Sequence, residues 1–145
     1  MNIAIIVPRW SASIIGGAER LAGEYARMLG GDHAVTMLTT CALDHVSWRN
    51  ELPEGATRED GLAIMRFPVD DRAGDRYAQL QARVYRGEPL TTNEESEWQR
   101  HGVVSSRLEE HVRSTAYDLV IGMPYLFGVV QRGLALEEAD PEHRV

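Results

Sequence analysis

The chain opens on "NIAIIV", residues 2–7, a nearly continuous apolar run closed by Pro8. Such a run fits a strand buried on both faces of a parallel sheet. From Gly17 to Leu29 the residues Ala18, Leu21, Ala22, Tyr25, Met28 and Leu29 recur at helical spacing, and Gly30-Gly31 supplies a stop. A parallel strand is continued by a crossover, so this strand-to-helix joint directs the chain toward an α/β sheet.

The rest of the chain extends the pattern. "AVTMLTT", 34–40, predicts a second strand and "LAIMRFPV", 62–69, a third. The segment between them, 41–61, contains Pro53, Gly55 and Gly61 without a clear period, and a connection of that length is usually functional or flexible. After Val69 the chain turns charged and helical, with Tyr77, Leu80 and Val84 on one stripe. "TTNEESEW" offers a capping box of Thr92 with Glu95 before a helix anchored by Trp98. Val104, Leu108 and Val112 mark a further helix, "YDLVIG", 117–122, a fourth strand, and "PYLFGVVQRGLALEEA" a loop and helix. The expected fold is an open, right-handed, mostly parallel Rossmann-like sheet with helices on both faces. Four strands are few for such a sheet, and another is expected to begin at Val145. Residues 1–145 are therefore read as one incomplete domain of a longer protein.

Composition narrows the function. A content of 43% hydrophobic residues is enough for a globular core. Fifteen basic residues against 22 acidic ones give a formal charge of −7, which argues against broad nucleic-acid binding but leaves room for a local basic pocket. Every basic residue is Arg, so any basic contact to phosphate or carboxylate uses a guanidinium fork. Cys41 is the single cysteine, which excludes an internal disulfide and fits a reducing cytoplasm. No signal peptide or membrane span is read, and membrane contact is expected to be peripheral at most.

In open α/β sheets ligands bind beyond the carboxyl ends of the strands. After the first strand, "PRWSASIIGGAER" places Gly16 and Gly17 directly before a helix. There the missing Cβ atoms, free N–H groups and helix dipole suit a phosphate. The loop is neither GxGxxG nor GK[ST], so a simple tight turn stays an open alternative. Glu19 likewise reads as a first-turn acid complementing the helix dipole. After the second strand, Thr39, Thr40, His45, Trp48, Arg49 and Asn50 combine hydroxyl, guanidinium, amide and an aromatic face, groups suited to a polyhydroxylated ligand. The competing reading packs Trp48 on the domain and pairs Arg49 with Glu51.

Other signals are weaker. His33, His101, His111 and His143 lack metal-ligand spacing and read as surface histidines. Asp70-Asp71 follow the third strand without an identified partner, and no nucleophile elbow is present.

Taken together, "IAIIVPRWSASIIGGAERLAGEYARML", "VTMLTTCALDHVSWRNELPEG", "GLAIMRFPVDD" and "YDLVIGMPYLFG" resemble a known family, in patches from residue 2 to about 134. It is the acceptor-side N-terminal domain of the retaining GT-B glycosyltransferases often called family 4. The resemblance implies transfer of a sugar from a nucleotide-diphosphate sugar to an acceptor hydroxyl, between two Rossmann-like domains. It implies that Gly16 and Gly17 lie near the donor diphosphate, and it makes Trp48, Arg49, Asn50 and Tyr125 candidates for holding the acceptor. It also implies no cofactor and no metal, in keeping with the lack of a DxD sequence. On this resemblance, the C-terminal donor-binding domain, with its pair of glutamates eight positions apart, is expected to lie outside residues 1–145. Glu51 and Glu59 match that spacing only by chance. The chain alone is expected to bind a sugar nucleotide weakly and to be inactive, with its catalytic residues unknown. A non-catalytic carbohydrate- or anion-binding module and a nucleotide-cofactor Rossmann domain stay open. The cofactor domain is disfavoured by Thr39-Thr40 standing where a ribose-binding acid belongs.

Overall fold

In the computed structural model, which describes residues 1–14, 16–71, 74–124 and 127–138, β1 (Asn2–Ile6) is the interior strand its apolar run predicts. Ile3, Ile5 and Val7 face one side of the sheet, and Ala4 and Ile6 the other. Helix α1 (Gly17–Leu29) follows and lays Ala22, Gly23 and Ala26 inward, small residues that let the helix approach the sheet closely. At Gly23 an added Cβ would lie 2.4 Å from the Trp10 ring.

Next come β2 (Ala34–Thr40), β3 (Gly55–Glu59), β4 (Leu62–Phe67), α2 (Gly74–Tyr85), α3 (Thr92–Arg100), α4 (Ser106–Ser114), β5 (Leu119–Gly122) and α5 (Gly128–Glu138). The sheet order is β3-β4-β2-β1-β5, with β4, β2, β1 and β5 parallel and β3 antiparallel on β4. Helix α1 covers one face. On the other, Leu108 and Val112 of α4 with Val129 and Val130 of α5 bury Ala4, Ile6, Leu38 and Phe67. The fold is therefore α/β and Rossmann-like, with helices on both faces.

Three expectations need correction. The sheet has five described strands rather than four, because 41–61 contains β3. β3 and β4 join through Asp60-Gly61, both at positive φ (51° and 80°), the backbone an Asp-Gly hairpin turn adopts. The capping box on α3 is Thr91 with Glu94, one residue earlier than expected: the Thr91 hydroxyl accepts from Glu94 N–H, and Glu94 accepts from Thr91 N–H. Strand β4 ends at Phe67, before Pro68, which lacks the donor a ladder uses. The strand expected from Val145 lies outside the described residues.

Candidate functional site

The chain runs outward from β1 into α1, on one face, and from β5 into α5, on the other. This places the switch point of the sheet between their carboxyl ends. The β1–α1 loop is held from three directions. Thr40 N–H and its hydroxyl both donate to Pro8 O, at 3.3 and 2.6 Å. Arg66 on β4, 2% exposed, donates from Nη2 to Trp10 O (3.1 Å) and to Glu59 Oε1 (2.8 Å). Arg9 donates from Nη1 to Leu43 O (3.1 Å) and from Nε to Glu19 Oε1 (2.7 Å). Thr39 Oγ1 and Arg66 Nε are buried on adjacent strands with no partner among the described residues.

Glu19 fills the place where an anion would sit. Gly16 is the N-cap of α1 and supplies no side-chain cap. A Cβ there would lie 2.0 Å from Glu19 Oε2, so a side chain at this position would displace the carboxylate from the helix terminus. That carboxylate lies in the first turn, is largely buried and pairs with Arg9, as the helix-dipole reading of Glu19 expects. Gly17, by contrast, has open space around its Cβ position.

The loop after β2 is closed on itself. Glu51 N–H and Leu52 N–H both donate to Cys41 O, and the Cys41 thiol is buried, which raises its pKa. The Asp44 carboxylate accepts from Val46 and Ser47 N–H, and the Ser47 bonds above all hold its pKa below the usual carboxylate range. Trp48 takes a left-handed backbone at φ 53° and turns inward. It packs with Ala42, Val69 and Val103, its ring centroid 5.3 Å from that of Phe127. The face expected to stack on a sugar is thus inside the domain, because burying an indole outweighs the strain at its backbone. Asn50 is also engaged, donating to Val69 O (3.0 Å) and accepting from Val69 N–H (2.8 Å). Arg49 is exposed and has no ion-pair partner among the described residues; the expected pairing with Glu51 does not form. Tyr125 lies outside the described residues.

A recess of about 230 Å³ opens between α2, α3 and the start of α5. Tyr77, Trp98, Val103 and Phe127 line it together with Gly102 and Gly128. A second recess of about 250 Å³ shares Gln99, Gly128 and Gln131 and adds Ser96, Arg100 and Arg132. Both border the carboxyl edge of the sheet: Val129 N–H donates to Val103 O, and Asp70 N–H after β4 donates to Val104 O. The sequence does not show this region because its walls come from separate elements; it points only to Tyr77, on a helical stripe, and to Trp98, as a helix anchor. Arg66 was missed too, although an arginine inside "LAIMRF" signals a buried, paired charge.

Asp70 is engaged at α4, accepting from Ser106 N–H and its hydroxyl. The histidines are less superficial than expected. His33, His101 and His111 are half-buried, and His111 Nε2 lies 2.9 Å from Tyr117 Oη, with burial lowering its pKa. His143 lies outside the described residues. No group of three potential metal ligands and no helix long and apolar enough to cross a membrane occurs among the described residues.

The fold defines a Rossmann-like α/β domain whose switch point lies between the carboxyl ends of β1 and β5. No protein-family model, curated protein or solved structure matches the chain.

Proposed function

We propose that the chain is the acceptor-side N-terminal domain of a retaining GT-B glycosyltransferase. In this reading it moves a sugar from a nucleotide-diphosphate sugar to an acceptor hydroxyl, with donor-binding and catalytic groups on a further domain. The observation that carries it is the β1–α1 joint, a rigidly held loop with Arg9 at its start and an unobstructed Gly17 at the helix N-terminus, set at the switch point. Glu19 leaves the helix terminus when a diphosphate arrives, and the phosphate takes over Arg9. Arg49 faces the acceptor side, and no metal or cofactor is required. The protein works in the cytoplasm.

The test is thermal stabilisation of the chain by UDP-, GDP- and ADP-sugars. A ligand at ten times its Kd adds about 1.4 kcal/mol of stability. We expect one class of sugar nucleotide to stabilise the chain, Gly17→Val to abolish the effect without lowering the unliganded Tm, and Glu19→Gln to strengthen it. Stabilisation by none of them sinks the reading. Stabilisation by NAD alone replaces it with a cofactor domain.

A second reading is favoured by one specific observation. Glu19 already neutralises the helix terminus, which suits a non-catalytic binding module whose ligand enters elsewhere on the same edge.

A further inference from the structure

The geometry points to a binding site for a small aromatic anion, of the aryl phosphate or aryl carboxylate class, in the joined recesses between α2, α3 and α5. This stands independently of the transferase reading. Its first compartment, of about 230 Å³, suits a single flat ring. The polar ends of two of its aromatic walls are tied back to one acceptor: Tyr77 Oη and Trp98 Nε1 donate to Gln81 Oε1 at 3.0 and 2.8 Å. The walls therefore present apolar faces, while the polar atoms that would draw in water are engaged behind them. Phe127, the third wall, is braced from the rear by Trp48, and the Gly128 backbone is seated where a Cβ would lie 2.7 Å from Val104.

The second compartment selects charge. Arg100 and Arg132 border it with the neutral Ser96, Gln99 and Gln131. Arg100 has no ion-pair partner among the described residues, and Arg132 makes a single ion-paired hydrogen bond, from Nη1 to Glu109 at 3.3 Å, which leaves the rest of its fork for a ligand. The nearby acid on α3, Glu97, is held by Arg76 at 3.0 Å and feels the charge of Arg100 only as a lesser influence. On a chain of formal charge −7, two guanidinium groups beside an apolar slot favour an anion joined to a ring. The helix terminus contributes little, since Val129 N–H donates to Val103 O.

The test is an amide-resolved NMR titration of the chain at low salt with four probes: phenyl phosphate, inorganic phosphate, benzyl alcohol and benzamidine. Phenyl phosphate is expected to shift Gly102, Gly128 and Gln131 saturably. It should bind about five-fold or more tighter than phosphate, the alcohol or the cation. Arg100→Ala/Arg132→Ala should weaken phenyl phosphate about five-fold while leaving benzyl alcohol unchanged. Gly102→Val should close the slot to both rings, and the surface double variant keeps the test decisive if Gly102→Val fails to fold. The inference is overturned if phenyl phosphate shifts none of these amides, if benzamidine binds equally well, or if the double variant binds phenyl phosphate unchanged. Shifts confined to Gly16 and Gly17 would also overturn it and would support the diphosphate seat.

Discussion

The β1–α1 joint and the recess beside α5 border the same edge of the sheet and treat their arginines in opposite ways. At the joint, Arg9 is shared between Glu19 and Leu43, and Arg66 between Glu59 and Trp10. At the recess, Arg100 forms no ion pair among the described residues, its charge acting on Glu97 only from a distance, and Arg132 pairs with Glu109 at 3.3 Å. Charge paired inside a fold holds backbone in place, whereas charge left at a rim is free to meet a ligand. The joint is thus built as a rigid frame, and the recess as a receptor.

That contrast is broken most forcefully at Arg66. Arg66→Ala frees the Trp10 carbonyl and strands Glu59, which is partly exposed and can turn toward water. The expected loss is about 2–4 kcal/mol, toward the lower end for a buried pair because of that exposure. A melt should show Tm falling by roughly 10 °C, while Arg100→Ala/Arg132→Ala melts like the parent. Equal losses in the two variants would erase the distinction between frame and receptor.

How much of this was legible in the sequence follows the same division. Strand β1, helix α1 and the parallel order were readable, because an apolar run and a helical period are local signals. Strand β3 was not read as a strand: its alternation is shallow, and the Asp60-Gly61 turn was the cue passed over. The site was legible only in part. Gly16 and Gly17 were correctly placed before α1, but that Glu19 folds back over Gly16 depends on Arg9, ten residues away. Trp48 and Asn50 have the right chemistry for a ligand, yet Phe127 and Val69, from other elements, claim them first. The recess was invisible because no short stretch contains it.

A finer test lies at the end of β2, where two buried threonines stand side by side. Thr40 Oγ1 donates to Pro8 O at 2.6 Å and accepts from Ala42 N–H at 3.2 Å, whereas Thr39 Oγ1 has no partner among the described residues. Thr40→Val should lower stability by about 1–2 kcal/mol, since it leaves the buried Ala42 N–H without its acceptor and removes one of the two bonds to Pro8 O. Thr39→Val, nearly the same shape, should be neutral or stabilising by up to about 1 kcal/mol. Urea melts of both variants decide it. A clear loss in Thr39→Val would mean that this hydroxyl serves the joint through a bound water or ligand.

The smallest effect is expected at Arg49. It follows the inward-turned Trp48 and precedes the engaged Asn50, yet its own side chain is exposed and unpaired among the described residues. Loss of an exposed, unpaired side chain removes neither burial nor a hydrogen bond, so Arg49→Ala should move Tm by less than about 2 °C. Asn50→Ala is the control, because it cuts both bonds to Val69 and should lower Tm visibly. If Arg49→Ala melts as early as Asn50→Ala, then Arg49 belongs to the frame. If it melts like the parent, Arg49 is left available for the acceptor side of the proposed transfer.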